Sequence, residues 1–347
     1  MSGWNRNRKS AKSILQAIGC TPMIRLNRVT EGLKTSILVK LEYFSPSGSL
    51  KDRIYLNMIE KAERRGDLKK GMTILECSTG NAGIACSFVS AVKGYPCIIV
   101  MPEGMSEERK KIDLAYGAEM VYTPGGESDV DLALEKLQEI RALDPKKYWV
   151  PSQFDNPDNI KAHYKTTGPE IWEQTDGKID AYVATQGTGG QLTGIGRYLR
   201  RKNSKVKLYA GEPAECPLLA RRVWGEHKIE GIGDGFVPRD LDLSMLDGIV
   251  TIKSDEAIEM ARRLAREEGI FCGISSGANV VAAIKLAKAH PKMKLIATMI
   301  CDSGQRYFST ELCGEPKHVV SPERDHPIDD YTREQLDKYQ SRWEIIE

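Results

Sequence analysis

Short apolar runs alternate along this chain with helix-patterned stretches, and that alternation constrains the fold more than any other feature. SILVKL (36–41), TILEC (73–77), CIIVM (97–101), EMVYT (119–123), DAYVAT (180–185), KLYAG (207–211) and LIATMI (295–300) read as strands. Several are apolar throughout, as parallel strands covered on both faces are. Between them lie KDRIYLNMIEKAERRG, NAGIACSFVSAVKG, SEERKKIDLAYG, ESDVDLALEKLQEIRAL, GGQLTGIGRYLRRK, SDEAIEMARRLAREEG and SGANVVAAIKLAKAH, which read as helices. Four of these end at or just before a glycine, a frequent helix stop. Repeated β–α units predict an α/β fold with mainly parallel, twisted sheets flanked by helices.

The 347 residues suffice for one large domain or two ordinary ones, and YWVPSQFDNPDN (148–159), with two prolines and several turn formers, is the best candidate junction. From Lys317 onward the pattern turns polar, as in a tail that packs on the surface or on a partner subunit. A net charge of +2 gives no global field for nucleic acid or an anionic membrane, and the cluster Arg6, Arg8, Lys9 and Lys12 reads as a solvated arm. No stretch approaches the roughly 20 apolar residues of a membrane helix, and the N-terminus lacks the apolar core of a signal peptide. A cytoplasmic protein is expected. The eight cysteines are scattered singly with no CxxC pair, several within apolar runs, so buried free thiols explain them better than zinc ligation or a disulfide frame.

Three glycine- or serine-rich turns stand between a strand and a helix, where open α/β sheets bind ligands. In ATQGTGGQLTG (184–194), Gly187, Gly189 and Gly190 let backbone N–H groups approach a phosphate, Thr188 adds a hydroxyl, and the helix start supplies a favourable field. The loop lacks the GK[ST] of a Walker motif and the GxGxxG spacing of a dinucleotide fingerprint, and by itself it could be a tight turn. In ECSTGNAGIA (76–85), Ser78, Thr79 and Asn81 place small polar groups at a helix start in a way that suits a carboxylate; N-capping accounts for one of them. In FCGISSGANV (271–280), Ser275 and Ser276 open another helix, and capping is an equal alternative. Lys51, in SPSGSLKDR (45–53), sits in the first turn of a helix, against the macrodipole. A lysine is ordinarily a solubilising charge, but burial and positive surroundings here would produce the neutral amine that reacts with carbonyl compounds. Phosphate loop, carboxylate loop, hydroxyl and activatable lysine together fit pyridoxal phosphate.

In chain order, IGCTPMIRL, PSGSLKDR, STGNAG, MPEGMSEERK, YGAEMV, QFDNPDN, HYKTTGPEIW, GTGGQLTGIGRYL, GIGDGFVP, GISSGA and CDSGQRY are similar to the segments of one family. Over about Ile18–Thr310 the chain resembles the cysteine synthase and cystathionine β-synthase group of fold type II pyridoxal-phosphate enzymes. The resemblance implies two domains, a smaller mobile one over 46–155 and a larger one from 13–45 plus 156–316, with 317–347 as a C-terminal tail, and a homodimer. It implies that Lys51 carries the cofactor and later removes the substrate's α-proton. Asn81 would bond the ring's 3′-oxygen, Gly187, Thr188, Gly189, Gly190 and Gln191 would hold the phosphate, and Ser275 would pair with the ring nitrogen. Ser78, Thr79, Gly80, Ala82 and Gln153 would face the substrate carboxylate. The implied reaction is β-replacement or β-elimination on a β-substituted L-amino acid through an aminoacrylate. Cysteine formation from O-acetylserine and sulfide is the first expectation, and a cysteine- or serine-using lyase or synthase is the alternative.

Two departures bear on the substrate. STGNAG stands where the family usually has TSGNTG, so Ala82 loses a hydroxyl while Thr79 keeps one. Asp234 in GIGDGFVP stands where a small residue is usual. It is either a polar residue in a glycine-rich loop or a base that activates the second nucleophile, for example water in a reaction that turns cysteine into serine and sulfide. His163 and Tyr164 read as structural residues near the junction, and Gln305 carries no clear consequence. A catalytically silent binding protein is disfavoured by the intact lysine and phosphate loop, and a nicotinamide dehydrogenase by the missing fingerprint.

Overall fold

The computed structural model describes residues 10–126, 129–314 and 325–347, so most of the N-terminal basic cluster and the first part of the tail lie outside the described residues. Two sheets organise the chain. The larger has seven strands in the order β1 (Met23–Arg25), β2 (Ser36–Leu41), β10 (Leu295–Ile300), β7 (Ala181–Thr185), β8 (Lys207–Pro213), β9 (Gly248–Ile252) and β11 (Glu344–Ile346). All neighbours are parallel except β1 and β2. The smaller sheet is wholly parallel, in the order β5 (Glu119–Thr123), β4 (Cys97–Pro102), β3 (Thr73–Cys77), β6 (Tyr148–Trp149).

Every residue of β3, β7 and β9 is buried, which accounts for their mainly apolar composition. Helices α1 (Lys51–Arg65), α2 (Asn81–Lys93), α3 (Glu107–Ala115) and α4 (Val130–Leu143) serve the small sheet; α5 (Pro157–Lys165) packs on both α1 and α7 (Gly190–Lys202), bridging the two halves. Helices α6 (Thr167–Gln174), α8 (Leu218–Arg221), α9 (Ser254–Arg263) and α10 (Ile274–Ala289) complete the layers of the large sheet. The glycine stops act as expected: Gly66 adopts φ +78° and its N–H closes onto the carbonyls of Ala62 and Glu63.

All seven expected strands form, and the two sheets contain four further strands that the pattern did not disclose, three in the large sheet and one in the small. GIVTI (248–252) is a strand whose opening glycine and short length hid it, while β1 and β6 have only three and two residues. The fourth is β11: the C-terminal segment adds a parallel strand to β9, and Trp343 before it is buried in the large-sheet core. Helix α11 (Asp330–Tyr339) leads into it, started by Asp329, whose carboxylate accepts the Thr332 N–H at 2.9 Å.

Candidate active site

Ligands in open parallel sheets lie beyond the strands' carboxyl ends, where strand order reverses. In the large sheet the chain runs outward from β7 through β8 to β9 and returns to β10 on the other side of β7. The loops leaving β7 and β10, which carry Gln186–Gly189 and Cys301, therefore flank one opening. The small sheet runs from β3 through β4 to β5 and returns to β6 beside β3, which sets Ser78–Asn81 near Gln153. Both openings line a single cleft, with Lys51 between them.

Lys51 begins α1 and is half-buried. Leu50 before it provides no side-chain cap. Burial lowers the Lys51 pKa, while nearby Asp234, Cys301 and Glu76 oppose the shift. Asp52 does not cap this helix start either: its carboxylate reaches back to the Ser47 N–H at 2.8 Å and to the Ser47 hydroxyl, and burial raises its pKa to about 6.

Between β7 and α7 the glycines allow close packing. A Cβ at Gly187 would lie 2.6 Å from the Gly231 carbonyl oxygen, and one at Gly189, where φ is +78°, 2.4 Å from Leu241 Cβ. Thr188 Oγ1 accepts from Asn159 Nδ2 at 3.0 Å. With Gly190 opening α7, the first turn has N–H groups without intrahelical partners, the donor set an anion requires. Gln191 is drawn elsewhere: its Nε2 donates to the Tyr182 hydroxyl at 2.6 Å. Of the two serines opening α10, Ser275 lines the cleft, while Ser276 Oγ accepts the Cys301 N–H at 2.9 Å.

In the second loop Ser78 Oγ accepts from the N–H groups of Gly80 at 2.9 Å and Gly83 at 2.7 Å. The hydroxyl oxygen therefore shapes the loop, and neither bond uses its proton. Thr79, Gly80 and Ala82 line the cleft with it. Gln153 Nε2 donates to the Cys77 carbonyl at 3.0 Å, and its Oε1 is buried with no partner among the described residues. Asn81 Nδ2 donates to Asp302 Oδ2 at 2.6 Å, and Asn81 Oδ1 accepts from Arg306.

Asp234 comes to the cleft opposite Lys51, in a turn set by the positive φ of Gly233 and Gly235. Burial raises its pKa to about 6, and Lys51 opposes the shift. Two further residues line the cleft without a clear signal in the sequence, and a third, Glu76, acts on Lys51 from behind it. His163, read as structural, lines the cleft with Nδ1 2.9 Å from Thr167 Oγ1, and burial pushes its pKa down to about 3, so it is neutral. Arg109 lies over the second loop and pairs with Glu230; a Cβ at Gly80 would lie 2.4 Å from its Nε. Glu76, the lone acid inside the apolar strand TILEC, receives the Tyr55 hydroxyl at 2.8 Å, and burial raises its pKa to about 7. That isolated acid was the one legible hint of the three. Tyr164 stays outside, stacked edge-on against Tyr198, and Gln305 is exposed.

A neutral-leaning amine, a helix start behind a glycine loop, a hydroxyl at a second helix start and an orphaned buried amide oxygen converge in one cleft. This donor set fits pyridoxal phosphate and an amino-acid substrate. The family model for pyridoxal-phosphate dependent enzymes matches residues 14–302. A cysteine synthase of Staphylococcus aureus is 46% identical over 305 residues, covering 88% of this chain and 97% of that protein. Among solved structures, a hydrogen sulfide-producing enzyme from Fusobacterium nucleatum superposes with a TM-score of 0.82 at 40% identity, covering 86% of this chain and 100% of that one. A cysteine synthase from Entamoeba histolytica superposes with a TM-score of 0.83 at 38% identity, covering 96% of each chain.

Proposed function

The chain belongs to the pyridoxal-phosphate dependent enzyme family, and from that premise we propose that it is a β-replacement enzyme that makes cysteine and acetate from O-acetylserine and sulfide. The observation that carries this reading is the Lys51 amine, its pKa lowered by burial, between a phosphate-type helix start and a carboxylate-type loop. When bound, pyridoxal phosphate supplies the electron sink that acidifies the substrate's α-hydrogen and lets a β-substituent leave.

The residues divide the remaining work. Gly187, Thr188, Gly189, Gly190 and the Gln191 N–H hold the phosphate, and the neutral Ser275 hydroxyl meets the ring nitrogen without protonating it. Asn81 bonds the ring oxygen. Ser78, Thr79, Gly80 and Gln153 hold the substrate carboxylate, with Ala82 as an apolar wall. Lys51 Nζ takes the α-proton, and Asp234 takes a proton from the nucleophile that adds at the β-carbon.

A second reading is favoured by Asp234 itself. A carboxylate with a pKa of about 6 facing the amine suits a general base for water. Cysteine plus water would then give serine plus hydrogen sulfide, in keeping with the sulfide-producing relative. The test is to supply O-acetylserine with sulfide, and separately cysteine alone, and to identify the amino-acid products while following the visible absorbance of the holoenzyme. Cysteine from the first mixture supports the primary reading, and serine with sulfide from the second supports the alternative. No product from either mixture overturns both.

We further propose a homodimer, a cytoplasmic location and a mobile smaller domain. Phe44, Phe271 and Phe308 are 55%, 36% and 56% exposed, with the rings of Phe271 and Phe308 5.8 Å apart, a surface suited to a second copy of the chain. No helix among the described residues is long and apolar enough to cross a membrane. The eight free cysteines agree with a cytoplasmic location, and the separate sheets agree with a smaller unit over 46–155 that moves against the rest.

A further inference from the structure

CDSGQRY (301–307) contributes Cys301 to the cleft wall, but its other polar residues have no part in the chemistry above. Asp302 is completely buried and Arg306 nearly so, which demands partners. Both find the same one. The Asp302 carboxylate accepts from Asn81 Nδ2 at 2.6 Å, and the Arg306 guanidinium donates to Asn81 Oδ1. A carboxylate requires a donor and a guanidinium an acceptor, so the two charges fix which way the amide faces. Only one of the two Nδ2 hydrogens is used by Asp302, which leaves the other for a ligand.

The clamp reaches across the molecule. Asn81 opens α2 on the small sheet, whereas Asp302 and Arg306 follow β10 of the large sheet. Tyr307 donates its hydroxyl to the same Asp302 oxygen at 2.7 Å, and Arg306 also donates to the Ser47 carbonyl in the loop before Lys51. Ser49 and Asp302 form an isolated bridge, so the lysine loop, the asparagine loop and the loop after β10 are joined.

We propose that Asp302 and Arg306 are positioning residues that hold the Asn81 amide in the orientation that binds the cofactor's ring oxygen. The assignment rests on the proposed role of Asn81. Hydrogen bonds to charged groups are the stronger class, so Asp302→Ala should speed pyridoxal phosphate release from the holoenzyme by roughly 10-fold to 100-fold. Asp302→Asn, which retains an acceptor oxygen, should fall between wild type and Asp302→Ala. Arg306→Lys is the second probe should Asp302→Ala fail to fold.

A cross-brace between the sheets would also lose stability on mutation, so the decisive measurement is a double-mutant cycle with Asn81→Ala, read as the cofactor release rate. If Asp302 acts through Asn81, Asp302→Ala (or Arg306→Lys) combined with Asn81→Ala releases cofactor no faster than the faster single variant. Multiplicative rates in the cycle, or release unchanged in the clamp variants, overturn the proposal. If Asn81→Ala alone leaves release unchanged, the role of Asn81 fails and the proposal with it. Failure of wild-type protein to acquire any cofactor absorbance would instead overturn the proposed function.

Discussion

At the scale of single residues, the site depends on groups held away from their usual protonation. Asp234, with a pKa raised to about 6, is ionised at neutral pH and loses its charge as the pH falls through 6. Sulfide release from cysteine should therefore decline below about pH 6, and Asp234→Asn should lower that rate by roughly 100-fold or more, the usual range of general-base loss, while leaving cofactor binding intact. Measuring the pH profile for both proteins checks this. His163 works in the opposite sense. Its folded pKa of about 3 lies below the ordinary 6.5, so below pH 6.5 the unfolded chain binds a proton that the folded chain refuses. Its contribution to stability is lost as pH falls from 6.5 towards 3. Between pH 7 and 5, wild type should lose about 2 kcal/mol more than His163→Gln, at ~1.4 kcal/mol per pH unit below 6.5. Urea titrations at the two pH values measure the difference.

At the scale of elements, helix starts converge on the cleft, and glycine decides what can approach them. Gly189 combines a φ of +78° with a hypothetical Cβ 2.6 Å from the Leu241 Cα, a backbone atom that cannot swing aside. Gly189→Ala should destabilise the protein by roughly 1–3 kcal/mol and weaken pyridoxal phosphate retention, since the same turn orients the phosphate donors. Thermal melts with and without cofactor separate the two effects. Gly187 has a related duty, because its missing side chain leaves room for the Gly231 carbonyl and so brings the segment bearing Asp234 against the turn after β7.

At the scale of the whole molecule, the last strand closes the large sheet. Trp343 is 8% exposed, and β11 pairs with β9 at Glu344–Gly248, Ile345–Ile249 and Ile346–Val250. Trp343→Ala should cost about 3–5 kcal/mol by loss of a large buried side chain, measurable by denaturant unfolding, although the cleft is lined by other elements. The exposed aromatic surface makes a separate prediction. For the proposed contact with a second copy of the chain, Phe308→Glu should favour the monomer in sedimentation, because burying an unpaired charge outweighs the apolar gain.

The sequence by itself determined the α/β class, the seven principal strands and the glycine-rich turn between β7 and α7, because apolar runs and glycine-rich strand-to-helix turns are local signals. Lys51 was legible for the same reason: its conflict with the helix field is visible within one turn. Asn81 and Ser275 were legible as polar residues at helix starts, resemblance supplied their expected roles, and Asp234 stood out as a departure from it. Only the tertiary structure decided that Asp234 faces Lys51, that Gln191 turns to Tyr182, and that His163 belongs to the cleft wall. It also joined Asp302 and Arg306 to Asn81, partners separated by 221 and 225 residues. Such pairings leave no periodic trace in the chain. They arise because the strand order reverses in both sheets and brings loops distant in sequence to one opening, where buried charges must find whichever partners the packing leaves within reach.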